Sequence, residues 1–345
     1  MSSRAWLVLA AATPLILSGC GGLGFGSAVP VSYTVVEVTV AGSPYVSPAG
    51  MSSNGRVVGV YRINASSADT AFVWTVAGGL VDLGTLGGPT SEALSVNSVG
   101  DVVGQSSNGT SDRGFVFTGG SMTDTGGLAA GNNSRASAIG DEGTIAGSAV
   151  NTFGEEVPVV FDPSGFVIVL ARLGGSDGRV TAVSDSGVMV GWSETAGGQT
   201  RAARWTQGVV VDLGSLANSD SVARAVNSIG QVAGESVDGV GQTRAFLFHI
   251  GQMKALALPV GATGNSAYGL SDSGVVVGSA VLGGTETAYA WYPGNQVVDL
   301  NALSVLPAGF TLTRAVGIDD DARIVAIGFN AGTGETRGFL LTPVF

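Results

Sequence analysis

Few side chains in this 345-residue sequence are equipped for chemistry, and their scarcity narrows what it can do. His249 is the only histidine, so a Ser-His-Asp relay would rest on one imidazole at the end of a strand, where a structural or exposed role is expected. Cys20 is the only cysteine, so the His and Cys donors of a zinc site are missing and no internal disulfide can form. Asp319-Asp320-Asp321 is the densest acidic run, yet it lacks the alternating spacing of a calcium loop and reads as a solvated turn. No cofactor is implied. Glu92, Glu155, Glu156, Glu194 and Glu235 fall in loops. They would serve a secreted glycoside hydrolase or lyase only if two carboxyl groups stood about 5 to 10 Å apart across a cleft. Arginine is the more promising type. Arg135, Arg179 and Arg314 sit just before equivalent strands of a repeat, with Glu92 in the same place in another copy. Arg224 lies two residues further along in its copy, with Tyr268 matching it in the next. Brought together, such a cluster would suit a carboxylate or an acidic sugar. Arg113, Arg201, Arg244 and Arg337 each open a third strand, and repetition at one position points to a scaffold role, bonding carboxylates or carbonyls of the adjacent unit.

What must position these residues is a repeat carried in seven copies, which begin about 44 residues apart. Its anchor is a pair of glycines four apart: Gly55/Gly59, Gly100/Gly104, Gly143/Gly147, Gly187/Gly191, Gly230/Gly234 and Gly274/Gly278, replaced by Ala322/Ala326 in the last copy. Before the first glycine comes a small residue and an aliphatic one, as in Ser95-Val96 and Ala182-Val183, which suits a strand where backbones crowd at an axis. The turn that follows is rich in Asn, Ser and Asp and closes on glycine, so a tight hairpin is expected. The second strand is β-branched, the third ends on large side chains such as Phe115 to Phe117 and Ala203 to Trp205, and the fourth alternates acid with aliphatic, as in Val81-Asp82-Leu83.

Four short strands per unit predict an all-β, seven-bladed β-propeller with four antiparallel strands per blade, occupying 33–345 as one domain. The last copy stops after its third strand, while Tyr33 to Val40 has the pattern of a fourth, with Glu37 where Asp82 sits. The N-terminal strand is therefore expected beside Phe339 to Leu341, fastening the ends and covering two exposed edges. A solenoid would need polar caps at both ends, and none is evident.

Charged residues make up 12% of the chain, net charge is −11, and Lys254 is the only lysine. No basic face is available for phosphates, which excludes nucleic acid as an expected partner. Arg4 followed by the apolar run Ala5 to Leu17 reads as a signal peptide over 1–20. Leu17-Ser18-Gly19-Cys20 resembles the bacterial lipobox, with Cys20 the lipidated residue, and 21–32 would be a flexible tether to the membrane. Gly21, not Asp, follows the cysteine, which by resemblance to bacterial sorting rules favours an outer membrane.

Val81 to Gly88, Ala93 to Ser106 and Thr243 to Phe248 carry a consensus that resembles the bacterial extracellular HAF-repeat family. The family's histidine is replaced here by Thr70, Arg113, Arg201, Arg244, Thr287 or Arg337. The resemblance implies an exported, surface or periplasm-facing protein, and it transfers no catalytic residue. The expectation is a non-catalytic, surface-anchored scaffold for a glycan, cell-wall component or protein, with a propeller enzyme and a purely structural envelope protein as alternatives.

Overall fold

The computed structural model describes residues 28–40, 42–128 and 132–345, so the signal peptide, Cys20 and most of the tether lie outside the described residues. Everything regular in it is β-strand. Five sheets have four antiparallel strands each, taken in chain order, and a sixth sheet has eight. The unit formed by Ser91–Val96, Val102–Ser107, Asp112–Thr118 and Ser121–Asp124 is typical: each strand pairs with the next, so one unit needs only hairpins.

The eight-stranded sheet divides into two such units. Tyr45–Met51, Val57–Arg62, Thr70–Thr75 and Gly79–Asp82 form one half. Phe310–Ile318, Ile324–Asn330, Glu335–Val344 and Ser32–Val38 form the other. A single parallel bridge, Tyr45 with Thr336, joins the halves. Ser32–Val38 runs antiparallel to the last strand, Val35 opposite Leu341 and Glu37 opposite Phe339. That is the pairing expected of the N-terminal strand. Ahead of residue 33, Ser32 pairs with Val344 and Val29 packs against the buried cluster that holds Tyr33 and Leu300.

Apolar side chains meet between units. Val58, Ala71 and Leu83 of one unit pack on Ala93, Val102 and Phe115 of the next, and equivalent clusters recur along the chain. A further cluster unites Val38, Val325 and Leu340 with Val46, Phe72 and Trp74, so the last unit also packs on the first. Third-strand aromatics such as Phe115, Trp205 and Phe246 are fully buried there, which explains why each unit spends its large residues on that strand.

The anchor glycines have two separate causes. The first closes the hairpin with positive φ, from 74° at Gly187 to 101° at Gly100, and Ala322 tolerates 58° in the last unit. The second makes room for a bulge. In every unit the innermost strand skips one residue in its register: Ala49, Leu94, Ser137, Thr181, Arg224, Tyr268 and Val316 are the extra residues. A Cβ on Gly104 would lie 1.9 Å from the Glu92 carbonyl oxygen, and one on Gly147 would meet that of Arg135 equally closely at 1.9 Å. In six units the missing methyl lets the bulged strand lie close, whereas the last unit makes the same bulge beside Ala326.

Candidate functional site

Bulges re-aim side chains, and here they aim them into one space. A cavity of about 840 Å³ is lined by the bulge residues and, in five of the seven units, by the residue two positions before, namely Ser47, Glu92, Arg135, Arg179 and Arg314. Glu92, Arg135, Arg179, Arg224, Tyr268 and Arg314, which the repeat pattern singles out in separate units, all border it. The shift of Arg224 and Tyr268 by two residues also finds its reason: they occupy the bulge, whereas Glu92, Arg135, Arg179 and Arg314 precede it.

The arginines are not free: each is paired with a glutamate. Arg135 donates to Glu92 at 3.0 Å and to Gln105 at 2.9 Å. Arg179 lies 2.5 Å from Glu156, Arg224 2.5 Å from Glu235, and Arg314 2.6 Å from Glu286. Arg224 and Arg314 also stand 5.4 and 4.9 Å from the Tyr268 ring centroid, so two guanidiniums share one aromatic ring. The Arg314 guanidinium is held above its ordinary pKa: burial opposes this, but the Tyr268 phenol beside it and the carboxylates of Glu286 and Glu235 outweigh burial. Glu286 and Gln105 were missed in the sequence because they lie on other strands, where nothing in their spacing ties them to the arginines.

The carboxylates proposed for hydrolysis are all engaged. Glu92, Glu156 and Glu235 are the ion-pair partners just named, and Glu156 also accepts from Ser148 at 2.6 Å. Glu194 accepts from Ser176 at 2.9 Å. Glu155 accepts from Asn151 at 2.8 Å and from Arg172 at 3.2 Å, and these bonds hold its carboxyl below the usual range, the wrong direction for a general acid. His249 is exposed beside Arg204, Asp212 and Ile250 in a shallow groove, and no serine or threonine lines that groove.

At the other end of the same strands the hairpin turns form a second mouth, of about 180 Å³, lined by Asp141, Asp185, Asp272, Asp319 and Asp320. The solvated-turn reading holds for the exposed Asp320 and Asp321 and needs correction only at Asp319. Asp319 is buried, accepting from the backbone and guanidinium of Arg323 at 2.8 and 2.7 Å. Asp320 accepts the Asp272 N–H at 3.1 Å, Asp272 that of Ser228 at 2.8 Å, and Asp141 that of Ser98 at 2.8 Å, so carboxylates latch one unit's turn to the next. Burial and then the charges of Asp141, Asp272 and Asp320 push the Asp185 carboxyl up. Among the described residues no His, Cys, Asp or Glu group is arranged to hold a metal ion.

The second arginine set bonds carbonyls and carboxylates as expected, and three of its members differ only in whose carboxylate they take, while Arg244 stands 3.6 Å from Asp238 and bonds the Leu256 carbonyl. Arg113 bonds Asp124 and the Asn132 carbonyl, Arg201 stands 4.0 Å from Asp212 and bonds the Ser219 carbonyl, and Arg337 bonds Glu37 at 2.6 Å. These carboxylates belong to the fourth strand of the same unit, not the adjacent one, since that strand lies directly alongside.

No family model matches the chain. No curated protein matches it either. Among solved structures it is similar to TolB from Acinetobacter baumannii, with a TM-score of 0.50 and 13% identity over 84% of this chain, which spans 64% of TolB's length. It is similar too to the gluconolactonase XC5397 from Xanthomonas campestris, with a TM-score of 0.40 and 12% identity over 95% of this chain and 99% of that one. A puromycin-hydrolyzing peptidase from Mycobacterium tuberculosis gives a TM-score of 0.46 and 14% identity over 90% of this chain and 53% of that one. At such identities the likeness concerns architecture alone: the chain has a β-propeller-like all-β fold.

Proposed function

We propose that the chain is a seven-bladed propeller of the HAF-repeat type, closed by its N-terminal strand, that serves as a non-catalytic binding scaffold on the bacterial cell surface. The observation that carries this reading is convergence: six residues from separate repeat copies line one polar cavity. A ring is supported by the apolar cluster and the Arg323 contact to the Ser53 carbonyl that link the last unit to the first. Engagement of every candidate carboxylate in ion pairs or hydrogen bonds favours binding over hydrolysis. The anchor rests on Leu17-Ser18-Gly19-Cys20.

The test is an array of glycans and cell-wall fragments probed with the exported protein and with its Arg135→Ala/Arg179→Ala/Arg314→Ala variant. Binding by the parent and at least a tenfold loss in the variant are expected. Binding that survives all three changes places the ligand elsewhere. Metabolic labelling with a fatty-acid probe checks the anchor: label is expected on the parent and none on Cys20→Ser.

A further inference from the structure

The charge balance around the cavity bears on what it would accept. Its lining groups and their ion-pair partners carry five positive charges (Arg62, Arg135, Arg179, Arg224, Arg314) and six negative ones (Asp69, Glu92, Asp112, Glu156, Glu235, Glu286). An anionic ligand would have to displace glutamates already bonded at 2.5 to 3.0 Å and then sit among the displaced carboxylates. It would also approach a chain of net charge −11, against the long-range field.

A polyol has no such difficulty. Each hydroxyl of a sugar both donates and accepts, so it is best met where donors and acceptors alternate at short range. On the wall itself Arg135 and Glu92 form a bonded donor–acceptor pair, the guanidiniums of Arg179, Arg224 and Arg314 line it with their glutamates bonded to them, and Thr90 adds a hydroxyl. Tyr45 and Tyr268 also border the cavity, with Arg62 over the first ring and Arg224 and Arg314 over the second, so the aromatic surface too is presented together with donors.

We infer that the mouth takes an uncharged, polyhydroxylated ring, the end of a neutral oligosaccharide, and discriminates against uronic acids and other anionic sugars. This rests on the binding reading above and sharpens it to a ligand class. Charge compensation is the selective device: the glutamates hold the guanidiniums in place as donors and cancel their attraction for anions.

The experiment measures affinity of the exported protein for neutral hexose oligosaccharides and for uronate oligosaccharides of matched length, at low and high sodium chloride. Neutral ligands are expected to bind at least tenfold more tightly, with affinity changing less than twofold between the two salt conditions. Glu235→Gln/Glu286→Gln, which removes two negative charges without changing shape, is expected to weaken neutral binding and strengthen uronate binding, narrowing the ratio. Tighter uronate binding by the parent that collapses with salt would overturn the inference while leaving the scaffold reading intact. Absence of binding to both series, and to the wider array, would overturn both.

Discussion

Gly104 shows how much one absent methyl group arranges. A Cβ there meets the Glu92 carbonyl at 1.9 Å, with the Phe115 ring at 2.8 Å, so both backbone and core must move. Gly104→Ala should cost about 1–3 kcal/mol, the range for overpacking, in urea unfolding. The counterpart in the last unit is already alanine, and Ala326→Gly should cost only about 0.5–1 kcal/mol, the entropy of a freer backbone. The last unit keeps its bulge with alanine, so equal losses at the two positions would mean that the close contact at Gly104 is relieved as easily as it is there. Asp185 makes the opposite point, since its charge is a burden on the fold. Its carboxyl is raised in the folded state, so the favourable contribution is complete below the unfolded carboxylate pKa and is lost as pH rises through the folded one. Asparagine can still accept the neighbouring N–H. Asp185→Asn should therefore melt higher than the parent at pH 7, with the difference shrinking as pH falls toward 4, as a pH series of thermal melts would reveal.

At the scale of the element, the N-terminal strand is held by more than its ladder. The Tyr33 hydroxyl lies 2.9 Å from that of Tyr292 in a buried site, and burial is the main cause raising both phenols. Tyr33→Phe leaves a buried hydroxyl without its partner and should cost about 1–3 kcal/mol. Adding Tyr292→Phe should recover most of that loss, a coupling that a double-mutant cycle reads directly. Much of this element was legible beforehand: the alternation in Tyr33 to Val38, the missing fourth strand of the last copy, and Glu37 at the acidic position together gave its place. The bulge was not legible. A register skip leaves no mark in a seven-fold pattern when the extra residue is Leu94 in one copy, Thr181 in another and Tyr268 in a third, because a side chain facing a polar cavity has no fixed chemistry. The glutamate partners were hidden for a similar reason: Glu286 is 28 residues from Arg314, a distance no local period connects.

The whole molecule has two unlike mouths at opposite ends of the same strands. One pairs arginine with glutamate around a polar cavity, and the other gathers aspartates whose carboxylates tie turn to turn. Both depend on the first and last units lying side by side, because Arg314 and Asp320 come from the last unit while Ser47 and Ser53 come from the first. The proposed binding reading therefore stands on ring closure. Thr34 and Thr342 are opposite one another in the closing ladder and both face solvent, so cysteines there join the ends without disturbing the core. Oxidised Thr34→Cys/Thr342→Cys protein should form an intramolecular disulfide almost completely, migrate faster on a non-reducing gel, and melt at a higher temperature until reductant is added. Free thiols after oxidation, or disulfides only between molecules, would contradict the closed ring and with it the convergence of the cavity residues.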